Sequence, residues 1–110
     1  MAYDRDLADR IRELIAGERH VTEKAMFGGL AFLIDGNMAV AASGQGGLMV
    51  RIPPADTETL LDRDHVEPMV MSGRDVRGWV RVHADGVRTT RQLHTWVRRG
   101  VEYARSLPAK

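Results

Sequence analysis

The sequence contains no cysteine, which excludes a disulfide scaffold, a thiol nucleophile and any thiolate metal site. Aromatic residues are also scarce. Two Trp, two Tyr and two Phe are too few for the exposed stacking platform of an RNP-type single-strand reader. No apolar run approaches the roughly 20 residues that a membrane span needs. The opening residues, MAYDRDLADR, are charged rather than apolar, so no secretory leader is expected and a cytoplasmic location is the default.

Catalytic signatures are missing as well. Ser43, Ser72 and Ser106 have no Gly-x-Ser-x-Gly context. The carboxylate pairs Asp4/Asp6 and Asp62/Asp64 fall in charged stretches that offer no shielding to shift a pKa. The glycines at 44, 46 and 47 lack the Gly-Lys-Ser/Thr ending of a P-loop and lead toward a strand instead of a helix. His20, His65, His83 and His94 are scattered, and only His83 and Asp85 share the i,i+2 spacing of one strand face. The expectation is a protein that is not an enzyme and that holds neither cofactor nor metal.

What is present reads as one domain over residues 1–110. Tyr3, Leu7, Ile11, Leu14 and Ile15 recur at helical spacing opposite a charged face, which predicts a helix over 4–16 with Asp4 as its cap. Strands are predicted over 21–27, 30–34, 37–42 and 48–52. Asp35-Gly36 between two of them signals a type I′ hairpin. Leu30, Phe32 and Ile34 are then expected on one face, and Met38, Val40 and Ala42 on one face of the partner strand. A short helix is predicted over 55–63 after Pro53-Pro54, then strands over 68–71 and 78–83, with Pro68 confining the first to an edge or a strand start. The clearest element is the last helix, capped by Thr89 or Thr90, with Leu93, Trp96, Val97, Val101, Ala104 and Leu107 on one face. Gly100 lies in that stripe. It costs about 1 kcal/mol relative to alanine, which predicts a close packing contact there. The fold class expected is α+β: an antiparallel meander of about five to six strands packed with an N-terminal and a C-terminal helix.

The segment Lys24-Ala25-Met26-Phe27-Gly28-Gly29, set between a helix and a strand that runs into Asp35-Gly36, resembles the N-terminal domain of the TfoX/Sxy family. Trp79-Val80-Arg81-Val82 followed by a helix carrying Leu93, Trp96, Val97 and Ala104 fits the same pattern. The resemblance is to that domain standing alone, and it spans essentially the whole chain. It implies the fold just described and a bacterial regulator linked to natural competence. On the residues themselves, the Met26-Phe27-Gly28-Gly29 motif reads as structural: two glycines permit a tight turn or the close approach of another backbone.

The charge is distributed unevenly. Residues 1–70 hold 7 Lys/Arg against 12 Asp/Glu, whereas residues 71–110 hold 9 against 3. Arg91, Arg98 and Arg105 are seven apart and fall on one line of the last helix, with Arg88 and Arg99 to one side. Arg74, Arg77 and Arg81 come from the preceding strands. These eight residues are the candidate contacts for nucleic acid or a partner. The alternative is a solvated face whose arginines pair with the acidic part of the chain or with Glu102.

Three functions therefore stand open: a non-enzymatic regulatory or interaction module of the kind the resemblance implies, related to transcription or competence; a nucleic-acid-binding domain using the arginine stripe; and a small-ligand protein or enzyme without a recognisable motif. The expected partner is a protein or a nucleic acid, with no membrane. A sheet domain this small has edges and burial left to complete, so a homodimer is also expected.

Overall fold

The structure, a computed structural model, describes residues 3–26 and 28–110. Phe27, one of the four motif residues, lies outside them. The elements in chain order are α1 (Arg5–Leu14), β1 (Val21–Met26), β2 (Gly29–Ile34), β3 (Asn37–Ala42), β4 (Leu48–Arg51), α2 (Thr57–Leu61), β5 (Val66–Met71), β6 (Arg74–Val82) and α3 (Thr90–Ser106). Short 3-10 turns at Pro54–Asp56 and Ala84–Gly86 lead into α2 and toward α3.

Both long helices start where side chains can satisfy orphan backbone donors. Asp4 accepts from the Leu7 N–H at 3.1 Å. At α3, the Thr89 hydroxyl accepts from the Gln92 N–H while the Gln92 side chain accepts from the Thr89 N–H, a reciprocal box. Asp35-Gly36 turns β2 into β3 with positive φ at both residues, 53° and 84°, as a type I′ turn requires.

The six strands form one antiparallel sheet in the order β1-β2-β3-β4-β6-β5. The first four are the expected meander. The last two differ: β6 lies beside β4, and β5 is the outer strand. The apolar pair Val80 and Val82 suits the interior position, and Pro68, which has no N–H to donate, suits the edge. Strand β6 also starts at Arg74, four residues before the expected start. Its first residues are charged and carry no strand periodicity, but Ser72-Gly73 turns the chain with both φ values positive.

All three helices pack on one side of the sheet. Leu7, Ile11, Leu93, Trp96, Val97, Val101 and Leu60 meet Leu30, Phe32, Ile34, Val40, Val50, Val80 and Val82 in a single core. Each such large side chain contributes about 1.5–3 kcal/mol by leaving water. Gly100 is where α3 comes nearest to β3. A Cβ there would strike the Ala39 carbonyl oxygen and approach Val40 Cγ1 to 2.7 Å, so the expected close contact is real. The two motif glycines are explained in the same way. Gly28 turns the chain at φ 76°, and a Cβ on Gly29 would strike the Ala42 carbonyl oxygen.

One expectation about facing is overturned. A bulge between Phe32 and Leu33 pairs Phe32 with Val40 but Leu33 with Met38, leaving Ala39 as the extra residue. Met38 therefore leaves the face of Val40 and Ala42 and joins Leu33 on the side of the sheet away from the helices.

Candidate interaction surface

The eight candidate arginines do not form one surface. Arg105 sits at the end of α3 and donates to Glu18 Oε1, to Asp35 Oδ2 (both at 3.0 Å) and to the Arg19 carbonyl at 2.8 Å, which ties the helix to the β2–β3 turn. The Glu18 hydrogen bond, with Asp35 adding to it, holds the Arg105 pKa above its ordinary value. Arg98 pairs along the helix with Glu102 at 2.9 Å, and Arg88 pairs with Asp85 at 2.9 Å. The Arg88 hydrogen bond keeps the Asp85 carboxyl below its usual range. The Arg99 guanidinium lies 5.6 Å from the ring centre of Trp96, and Arg63 lies over the same ring at 6.0 Å. Arg77 donates to Glu58 and to the Pro54 carbonyl. The Glu58 carboxyl is lowered by a hydrogen bond from its own backbone N–H and, next, by Arg77.

Arg74 and Arg91 have no ion-pair or side-chain hydrogen-bond partner among the described residues, and they stand on separate elements, β6 and α3. The uneven charge along the chain is thus interleaved by folding. Arg77–Glu58, Arg81–Glu67 and Arg105–Glu18 each join the basic end to the acidic one. Each such pair offsets charge between the two ends locally.

Arg81 points to the opposite side from α3. Strand alternation puts Val80 and Val82 in the core and leaves Trp79 and Arg81 on the helix-free face. The Arg81 guanidinium donates to Gln45 Oε1 and to the Gly46 carbonyl, both at 3.0 Å, with longer contacts of 3.5 Å to Glu67 Oε1 and Ser43 Oγ. Glu67 also reaches His83 Nε2 at 2.8 Å, so His83 is engaged there and not with Asp85. Among the described residues no group of three His, Asp or Glu side chains is placed to hold a metal ion.

This helix-free face is the feature that composition did not show. Met26, Met38, Met49, Met69 and Met71 line two adjoining hollows on it, five of the chain's six methionines. The larger hollow, about 400 Å³, lies between Arg81, Glu67 and the methionines 49, 69 and 71. The smaller, over Ala31 and Ala41, has about the volume of one water. Val70 and Met71, on the rim at β5, are the large apolar side chains most open to solvent among the described residues, 55% and 41% exposed. One row crosses every strand of the face: Lys24 pairs Ala31, Ala31 pairs Ala41, Ala41 pairs Met49, Met49 pairs Arg81, and Arg81 pairs Glu67. The row thus begins with a cation, passes through two small residues and a methionine, and ends in an Arg–Glu pair. Along the sequence the methionines stand apart from one another. Their convergence depends on strand order and on the bulge at Ala39, neither of which has a local signal.

The family model of the TfoX N-terminal domain matches residues 13–104. No curated protein matches the chain. A solved crystal structure of a protein from Pseudomonas syringae is similar over 87% of this chain and 97% of that one, with a TM-score of 0.62 at 8% sequence identity, a likeness of fold alone.

Proposed function

We propose that this chain, which belongs to the TfoX N-terminal domain family, is a non-enzymatic regulatory interaction module that works by protein contact through the helix-free face of its sheet. The observation that carries this reading is the convergence of five methionines on that face. Methionine is unbranched and polarizable, so it adapts to an opposing apolar surface and recurs at binding faces. A sheet with helices on only one side leaves the other side for such contact. The family's link to competence regulation supports a regulatory rather than a metabolic role.

A second reading, nucleic-acid binding, is favoured by Arg91, an exposed cation on α3 with no ion-pair or side-chain hydrogen-bond partner among the described residues, two turns from Arg98. Against it, Arg81, Arg77 and Arg105 are each held by two or more acceptors of the protein itself. Such arginines neutralise phosphates only by giving up those partners.

Fluorescence anisotropy of labelled duplex DNA, single-stranded DNA and RNA, titrated with the protein at two salt concentrations, separates the two. The expected result is no binding even at low salt. Binding that weakens steeply with salt would overturn the protein-contact reading. In that case the double substitution Arg91→Glu and Arg98→Glu would abolish binding.

A further inference from the structure

The helix-free face carries a pattern that matches itself. A two-fold axis running parallel to the strands, between β3 and β4, turns the cross-strand row end for end. Lys24 of one copy then meets Glu67 of the other at both rims, Ala31 meets Arg81, and Ala41 meets Met49. Opposite charges oppose each other at the edges, and the hollow over Ala31 and Ala41 lies beneath the long side chains of Met49 and Arg81. We infer that the occupant of this face is a second copy of the same chain, packed face to face in that arrangement. This inference rests on the reading that the face is the contact surface.

The dimensions agree. Six strands span about 24 Å at ~4.8 Å per spacing, and six-residue strands run for about 20 Å, which is roughly 500 Å² per copy. The pair buries about 1,000 Å², the size at which specific interfaces begin. Aligned sheets cross at about 30°, which displaces the rims by about 6 Å, a distance that the long side chains of Lys24 and Glu67 span. A foreign partner has no reason to present a small-to-large gradient reversed against this one. A second copy does so by symmetry.

Sedimentation equilibrium from about 1 µM to about 1 mM gives the mass, and cross-linking gives the geometry. The expected mass is twice the 12.3 kDa of one chain at the upper concentrations. Met49→Glu places a carboxylate next to the axis, beside Arg81 of the same chain, and circular dichroism of the variant checks that its fold is kept. Lys24→Glu, on an exposed edge position, sets like charges against each other at both rims. Each is expected to weaken dimerisation by roughly tenfold or more. Because the chain has no cysteine, thiols introduced by Lys24→Cys and Glu67→Cys are unique. When chains carrying one or the other are mixed, a bis-maleimide of about 10 Å span, the separation of packed sheets, is expected to join 24 to 67 and not 24 to 24.

A chain that stays at 12.3 kDa up to about 1 mM would overturn the second copy and leave the face to a different protein. A dimer indifferent to both charge substitutions, or one that cross-links 24 to 24, would overturn this packing. None of these results bears on the nucleic-acid titration, so the two readings fail separately.

Discussion

The guanidinium of Arg105 donates a hydrogen bond to Glu18, 87 residues earlier in the chain, at 3.0 Å. The same group reaches Asp35 in the β2–β3 turn. A residue that looks from its spacing like part of a phosphate-binding stripe is thus a clamp between the end of α3, the segment after α1 and a hairpin turn. The Lys110 N–H donates to the Asp35 carbonyl and the Asn37 side chain donates to the Pro108 carbonyl, so the chain end is held at the same turn.

Removing that clamp should lower thermal stability more than removing a free arginine. Arg105→Ala is expected to reduce Tm, and Arg105→Lys to restore only part of the loss, because one ammonium nitrogen replaces two guanidinium nitrogens that reach Asp35 and Glu18 separately. Arg91→Ala, which breaks no ion pair or side-chain hydrogen bond among the described residues, is expected to leave Tm unchanged. Calorimetry of the three variants checks the ordering.

Gly100→Ala gains about 1 kcal/mol of helix propensity in isolation. Here the added methyl meets the Ala39 carbonyl and Val40, and overpacking of this kind costs about 1–3 kcal/mol. The expected net change in urea unfolding is a loss of stability, with an unchanged m-value. A gain would mean that α3 can shift away from β3 at little cost.

The capping box at the start of α3 should be measurable on its own. Thr89→Ala removes the hydroxyl that satisfies the Gln92 N–H and is expected to cost about 1 kcal/mol. Faster amide exchange should appear at Gln92 and spare the middle of the helix.

Acid should weaken the contact between α1 and β1. Arg12 holds Glu23 through two hydrogen bonds, at 2.6 and 2.9 Å, and lowers its pKa. A carboxylate with a depressed folded pKa adds stability that is complete above its unfolded value of about 4.3 and is lost as pH falls through the folded value. The pair is partly exposed, so the change is small. The expected result is that Glu23→Gln lowers stability at neutral pH, and that its difference from the parent protein vanishes below the carboxylate range. Carboxyl NMR titration should place Glu23 below an exposed glutamate.

Local signals carried most of the elements. Leu93, Trp96, Val97 and Val101 repeat with the period of a helix, and Asp35-Gly36 has one economical conformation between two apolar runs. Elements whose determinants are distant were not legible. The charged start of β6 is a strand because Ser72-Gly73 turns it back onto β5, and β5 is at the edge because β6 pairs with β4. Met38 changed sides through the bulge at Ala39, which arises from a mismatch between two strands and has no signature in either. The arginines were countable, but their partners were not. Glu18, Glu58 and Glu67 lie from 14 to 87 residues away, and only the folded chain brings them together.

Pro68 has a consequence beyond the placing of β5. It leaves the outer strand one donor short, and the break in register between Pro68 and Val70 bends the same strand. At the opposite margin β1 presents Thr22, Glu23 and Lys24 to solvent. Both margins carry features that discourage pairing with another strand, which disfavours filament growth through open edges. Association directed to the flat of the sheet is self-limiting, because two copies use up the surface that joined them.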